Sequence, residues 1–443
     1  MSFFDALLGA LPTVKDPAKV PNIKQKLLWT LIALVVFFVM GTISLIGLNP
    51  ESAFELGFYQ TVLASNMGTL LTLGIGPIVL ASIILQLLVG VKIINLDFSN
   101  TKDRAKFSGL QKLVAIVLAV VESVMFTAKL GTAEHMFFWV VLQIVLGSII
   151  IIYLDEVVSK YGIGSGIGLF IAANVCQSII WRIFSLPSAA AANSGGLLFL
   201  GIEYLTTGAT LNLLSTVLLP ILFTFLVFFA VVYAESMHVN IPLTVGRSGM
   251  GAKFPVKLMY VSNMPVILAA TLFANVTMFS QLAKGTFMEA FLLPLGNFLV
   301  APYGFIQEVI LGTATLGMLW HSLAYMVVFV GVCVIFGILW VEIGGQGSEA
   351  VARQLQRSGM SIPGFRRDER VLTSVLKRYI PTIVIIGSMF VGLLAFLADI
   401  TSALGTGTGI LLTVGIVYRF YEQLAKEQLF ESSNLLKQIA GKW

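Results

Sequence analysis

Charge is scarce in this chain. Its 443 residues hold 27 Lys and Arg and 22 Asp and Glu, 11% in all, where a soluble protein of ordinary composition carries roughly a quarter. With 57% apolar residues and a mean hydropathy of +0.94, that deficit excludes an ordinary soluble enzyme. Cysteine is nearly missing too: Cys176 and Cys333 both sit inside apolar runs, which gives neither a disulfide framework nor a metal site. The three histidines, His135, His238 and His321, lack the His-Glu-x-x-His spacing of a zinc hydrolase. No cofactor, metal or catalytic residue is assigned. The short alternating segments of an outer-membrane barrel are absent as well, since the apolar runs are long and continuous.

Those runs are the dominant feature. A hydrocarbon core of ~30 Å takes ~20 mostly apolar residues per helix, and the sequence supplies ten such spans: 28–46, 74–91, 109–130, 136–154, 163–184, 211–233, 256–279, 315–341, 380–398 and 405–424. The expected fold is all-α and polytopic. Residues 1–27 form an amphipathic amino terminus with an apolar stripe at Phe3, Phe4, Leu7, Leu8 and Leu11, suited to a membrane interface. No small-residue cleavage site follows a short apolar core, so a removable signal peptide is not expected. The stretch Phe54–Leu73 is too polar for lipid and too apolar for a solvated loop, and is expected to be a short segment buried within protein.

Charge placement sets the orientation. With the amino terminus inside, every Lys and Arg except Lys129, Arg182 and Lys284 falls on an inside segment. Such a bias in short loops predicts that both termini are cytoplasmic, in keeping with an even number of spans. The division expected is an amino-terminal half over 28–210, a carboxy-terminal half over 211–424 with cytoplasmic loops near 235–257 and 342–379, and a cytoplasmic tail over 425–443.

The halves resemble one another. Span two reads Pro77-Ile78-Val79-Leu80-Ala81-Ser82 and span seven reads Pro265-Val266-Ile267-Leu268-Ala269-Ala270; Gly164, Gly166 and Gly168 open span five as Gly405, Gly407 and Gly409 open span ten. Five spans per half is an odd number, so the halves insert with opposite topology. That is the pattern of an inverted repeat, with its functional path between the halves.

Ionisable groups within spans mark function in membrane proteins because they are costly there. Glu122 is the clearest, open to two readings: a functional carboxyl facing a polar cavity, or a structural hydrogen bond. Asp155, Glu156, Glu235, Glu342 and Asp399 fall near span ends and read as solvated termini. The string Gly246-Arg247-Ser248-Gly249 has the form of a serine-protease nucleophile but lies in a basic loop, where a flexible turn is the better reading. Gly162–Gly166 lacks the preceding strand of a phosphate loop, and Gly164 and Gly168 fit close helix approach instead. What remains is aliphatic: Ile75 and Val79, like Ile167 and Ile171, share a helix face at one-turn spacing, and Ile267 and Leu412 hold related places in spans seven and ten. By spacing alone these are core or lipid-facing residues.

Taken together, Thr72–Val79, Tyr153–Glu156, Lys160–Ile167, Tyr233–Glu235, Ser262–Leu268, Leu411–Val414, Tyr418-Arg419 and Tyr421–Gln423 resemble the SecY family, the large subunit of the protein-conducting channel, in its archaeal and eukaryotic branch. The match runs along almost the whole chain; it is weakest from Lys284 to Gly312. The resemblance implies two inverted five-helix halves around a central hourglass pore, through which unfolded polypeptides cross and from which hydrophobic segments leave sideways into membrane lipid. Ile75, Val79, Ile167, Ile171, Ile267 and Leu412 would match the pore ring. Residues 54–66, with Phe54, Glu55, Tyr59, Thr61, Ser65 and Asn66, would match the plug, and Glu122 and Asn263 are candidates for a polar contact across the lateral gate. The cytoplasmic loops carrying Arg247, Lys253, Lys257, Arg366, Arg367 and Arg370 would match the surface that docks the ribosome, through contacts with ribosomal RNA. A gamma (SecE-type) subunit, a beta subunit and a translocating chain with its signal sequence are the further partners implied. The location implied is the cell membrane, or the endoplasmic reticulum membrane for a eukaryotic chain.

A secondary transporter shares the inverted-repeat architecture and is the rival reading. It calls for paired charges at mid-membrane and has no use for two long basic loops; the sequence has the loops and lacks the pairs.

Overall fold

The computed structural model describes residues 12–17, 21–48, 60, 63–90, 93–94, 101–129, 134–187, 195–245, 250–285, 287–357, 360–361 and 369–440. Among these, ten long helices follow in order: α1 Ile23–Thr42, α2 Gly76–Gly90, α3 Thr101–Lys129, α4 Phe137–Tyr161, α5 Gly166–Phe184, α6 Thr210–Ser236, α7 Met264–Leu282, α8 Leu316–Ile343, α9 Glu369–Ile400 and α10 Gly407–Ala440. Eight of them contain a window long and apolar enough to cross a membrane. The two that do not are α2 and α10. With 15 residues, α2 spans only about 22 Å at 1.5 Å per residue, and the irregular stretch Leu63–Ile75 before it makes up the remaining depth, where Leu63, Leu71, Leu73 and Ile75 are buried. Backbone that is not helical is tolerated at that depth only inside protein, as the composition of this stretch predicts.

Several boundaries differ from the hydropathy reading. Span seven begins at Met264 rather than residue 256, because the preceding residues form a strand and a turn. The outer segments also hold short helices, Leu197–Thr207, Glu289–Phe298 and Phe305–Leu311, and α6 contains a π-helical stretch over Leu213–Leu218. Between α6 and α7, β1 His238–Val245 pairs antiparallel with β2 Met250–Lys257, and β3 Met360–Ser361 adds to β1 at Thr244 and Val245. Hydropathy gave no sign of this sheet, whose residues alternate weakly and carry Pro242 and Pro255.

The two halves repeat in backbone as well as in sequence. Pro77 and Pro265 each stand in the first turn of a helix, where a missing N–H costs nothing. The residue three before each has left-handed backbone, Gly74 at φ +54° and Ser262 at φ +53°. Packing repeats too: α1 with α4, α2 with α3, α3 with α4 and α4 with α5 in one half have their counterparts in α6 with α9, α7 with α8, α8 with α9 and α9 with α10 in the other. The helices α5 and α10 lie side by side and antiparallel on the pseudo-twofold. A Cβ added at Gly164 would meet Phe420 and one at Gly405 would meet Ile179; Gly168 faces Ile416 and Gly409 faces Val175. The shift that carries Gly164 onto Gly405 carries Ile179 onto Phe420 and Val175 onto Ile416, so each contact is the image of another.

Around this centre the outer helices turn bare aliphatic faces outward, with Leu31, Val35, Val120, Val124, Phe225, Phe229, Leu323 and Val327 exposed. Buried residues of α7 outnumber exposed ones by far, which places that helix inside the bundle between α2 and α8.

Candidate functional site

Four helices bring the aliphatic candidates together. Ile75, Val79, Ile171, Ile267 and Leu412 are all buried in one continuous core cluster, with Ile167 packed against it partly exposed. Ile75 precedes α2, and its N–H donates to Leu63 O at 2.8 Å; Ile267 occupies the position of α7 that Val79 occupies in α2. Leu412 is the repeat image of Ile171. The cluster is thus built from equivalent places in the two halves, with no charged group among its members.

Asn263, fully buried, stands immediately before α7 and reaches across to α10. Its Nδ2 donates to Leu411 O at 3.0 Å and Leu412 O at 3.3 Å. Gly415 makes room for this amide, since a Cβ there would overlap it. Glu122, also buried, lies on α3 beside Gly76 at the start of α2. The two candidates for the gate do not pair with each other: Glu122 Oε1 and Asn263 Oδ1 both lack a hydrogen-bond partner. Asn263 is turned away by the two carbonyls of α10, which offer its donor a closer pairing. Glu122 Oε1 is spent on no structural hydrogen bond, and the residue is 1% exposed.

The reading of the span-end acids needs correction. Asp399 and Glu235 are buried rather than solvated, because each has backbone or hydroxyl donors waiting. Asp399 accepts from the Thr408 N–H at 3.1 Å and the Thr408 hydroxyl at 2.5 Å, and Glu235 accepts from the Ser262 hydroxyl at 3.0 Å. Asp155, partly buried, accepts from the Ile167 N–H at 2.8 Å.

Of the plug candidates, Phe54, Glu55, Tyr59 and Thr61 lie outside the described residues. Ser65 is buried, and Asn66 donates to Gly41 O of α1 at 2.7 Å. Just before them, Gln60 O accepts from Asn174 of α5 at 3.0 Å. A cavity of 320 Å³ opens beside this segment, lined by Phe37, Gln60, Ser65, Asn66, Asn174 and Trp181 among others.

Of the basic candidates, Arg247, Arg366 and Arg367 lie outside the described residues, and Lys253 stands on β2 opposite Pro242. Arg370 is exposed at the start of α9. Lys257, at the end of β2, is occupied: its Nζ lies 2.5 Å from Glu422 of α10 and over the Tyr418 ring at 5.5 Å. Behind the sheet a second core of Val256, Val351, Leu355, Leu372 and Leu376 joins it to the helix Ser348–Arg357. Tyr260 donates to Gln346 O at 2.8 Å, and burial pushes that hydroxyl up to about 12, so it remains a donor. The described parts of the two basic loops therefore form one assembly, where the sequence suggested two separate loops.

The SecY family profile matches residues 69–421. Protein translocase subunit SecY of Methanothermobacter thermautotrophicus is 46% identical, over 99% of this chain and 98% of its own. The chain belongs to the SecY family. Among solved structures, one described as a protein conducting channel superposes with a TM-score of 0.79 at 42% identity, covering 95% of this chain and 96% of that one. Sec61 in the canine ribosome-channel complex from the endoplasmic reticulum superposes at 0.76 with 40% identity, covering the same shares. The SecY family is one of protein-conducting channels, and the chain is a multi-pass membrane protein of that kind.

Sequence reasoning missed a further set of polar residues in this SecY-family bundle. Thr271 and Asn275 are buried in α7, and Thr271 Oγ1 and Asn275 Oδ1 have no partner; nor does Gln86 Oε1 on α2. Asn263, Ile267, Thr271 and Asn275 are spaced by four and share one face of α7. That periodicity was readable in the sequence once Asn263 had been noticed.

Proposed function

We propose that this chain is the pore-forming subunit of a channel that passes unfolded polypeptides across the membrane through the aliphatic ring Ile75, Val79, Ile167, Ile171, Ile267 and Leu412. The observation that carries the reading is the single buried cluster these residues form, drawn from repeat-related positions of both halves. A ring of flexible aliphatic side chains gives passing residues no strong partner and blocks ions by excluding water. The segment 54–66 is the plug at rest, held at its described end by Asn174 and Asn66. The seam between α2 with α3 and α7 with α8 is the lateral exit. An apolar signal segment gains by leaving through it, at roughly 25 cal/mol for each Å² of apolar surface withdrawn from water. Glu122, Asn263, Thr271 and Asn275, with polar atoms left unpaired in the closed seam, make that seam easier to part than a dry one would be.

Both termini are cytoplasmic by the charge bias, and the membrane is the cell membrane. The sheet and its flanking arginines dock the ribosome through phosphates of its RNA, and elongation supplies the driving force, so the chain itself catalyses no reaction. A gamma (SecE-type) subunit and a beta subunit complete the complex. Single-channel conductance of the reconstituted complex tests the reading. The intact chain is expected to be tight and a deletion of 54–66 leaky; a deletion as tight as the parent, with a solute gradient driving uptake, removes the channel reading.

A further inference from the structure

The helices α5 and α10 begin in the same way, and each beginning is built around a carboxylate from the helix before it. In the first half, Gly164 has φ +71°, the Ser165 hydroxyl accepts from Gly168 N at 3.3 Å, and Asp155 in the last two turns of α4 accepts from Ile167 N at 2.8 Å. In the second, Gly405 has φ +70°, the Thr406 hydroxyl accepts from Gly409 N at 3.1 Å, and Asp399 at the end of α9 accepts from Thr408 N at 3.1 Å. The first three N–H groups of a helix have no partner of their own. Here the second and third are filled in each half by the same two devices. The fit is close as well as polar, because a Cβ at Gly166 would strike Asp155 and one at Gly407 would strike Ala398 and Asp399.

What these carboxylates hold is the ring. Asp155 grips the N–H of Ile167, a ring residue, and Ile171 lies one turn further along the same helix. Asp399 grips Thr408, the image of Ile167, and Leu412 lies one turn beyond. Thr408 also turns its hydroxyl to Asp399 Oδ2 at 2.5 Å, so on α10 the position matching Ile167 is spent on the clamp and Leu412 is that helix's contribution to the ring. Because α5 and α10 are antiparallel neighbours on the pseudo-twofold, the two clamps act from opposite ends of the bundle.

We infer that Asp155 and Asp399 are paired positioning residues that fix the height and rotation of α5 and α10, and thereby keep Ile167, Ile171 and Leu412 closed as a seal against ions. This deepens the ring reading proposed above and rests on it. Asp155 holds only the backbone N–H of Ile167 and Asp399 that of Thr408 with its hydroxyl, so each acts through the helix it holds rather than on a passing chain. An Asn in either place keeps one accepting oxygen and turns an N–H₂ donor toward backbone donors, which loosens the helix start without changing its size.

The test uses full-length chain in liposomes, with halide efflux as the readout and thermal unfolding of the same preparations beside it. Asp155→Asn and Asp399→Asn are each expected to raise efflux about tenfold, within the range by which a biased two-state element shifts, with a small change in melting temperature, and the double variant is expected to leak more than either. If Asp399→Asn does not accumulate as folded protein, Thr408→Val removes only the hydroxyl bond, and a rise of a few fold is expected. Folded Asn variants as tight as the parent, or a lower melting temperature with unchanged efflux, overturn the proposal, as does a tight Thr408→Val. The paired variant Ile171→Gly with Leu412→Gly separates the two readings. If it leaks while the Asp variants stay tight, the clamp alone fails; if it stays tight, the ring fails and the clamp with it.

Discussion

Asn263 and Leu412 are joined by a hydrogen bond of 3.3 Å from a side-chain amide to a backbone carbonyl, with a second from the same amide to Leu411 O at 3.0 Å. The bond ties the start of α7, which borders the seam, to the helix that carries a ring residue. Both helices belong to the carboxy-terminal half, so the tie fixes the start of α7 against α10 and does not itself cross the seam. In a low-dielectric interior, a donor that loses its partner is costly, so the tie holds Leu412 and Ile267 in their resting places in the ring.

Asn263→Leu removes the donor and forces a branched aliphatic group into the space beside Gly415. The expected loss is about 1–3 kcal/mol of stability, the range for a broken buried hydrogen bond, together with faster halide efflux. Thermal unfolding and efflux of the reconstituted chain measure both. A variant equal to the parent in both respects means that Asn263 is not a tie.

Gly415→Ala reaches the same contact from the other side, since its methyl group would occupy the place of the Asn263 amide. It is expected to destabilise the chain on its own and to do so much less in an Asn263→Ala background. The double-mutant cycle should give a coupling of about 0.5–3 kcal/mol, as for residues in direct contact. Additive losses would show that the two do not share one space.

Composition and hydropathy made the ten helices legible, because lipid demands long apolar runs. Paired glycines made the antiparallel approach of α5 and α10 legible, because close helix contact needs small residues at fixed spacing. The sheet was not legible, since its two long strands carry proline and are held partly by a core contributed from residues a hundred positions away, such as Leu372 and Leu376. Asp399 and Glu235 were misread because their position near a span end resembles that of a solvated acid. Only the return of the chain in three dimensions shows the donors that bury them. For Lys257 the sequence shows a positive charge in a basic loop and nothing of Glu422, which lies far along the chain.

Ser262 stands at φ +53° where its repeat partner is Gly74, and its hydroxyl satisfies the buried Glu235. Ser262→Ala keeps the left-handed backbone cost of about 1–2 kcal/mol and loses the bond, so a loss of about 1–3 kcal/mol is expected. Ser262→Gly loses the same bond and relieves the backbone, and should be the more stable of the two. Melting temperatures of the purified variants check the order; Ala above Gly would mean that the backbone at 262 carries no strain.

Salt dependence distinguishes the basic residues that dock from those spent within the fold. Each phosphate neutralised by a protein cation releases counterions, so losing one contact reduces the slope of log affinity against log salt by about 1. Arg370 is exposed at the start of α9, within reach of a large partner, and the partly buried Lys257 lies 2.5 Å from Glu422. Arg370→Ala is therefore expected to lower the affinity of the reconstituted chain for ribosomes and to reduce the slope by about 1. Lys257→Ala is expected to change the slope by clearly less, and Lys257→Ala paired with Glu422→Ala by less still. Measured by co-sedimentation over a salt series, equal slope changes for Arg370→Ala and Lys257→Ala would mean that Lys257 leaves Glu422 when the ribosome binds, and that the pair seen at rest is itself a contact broken on docking.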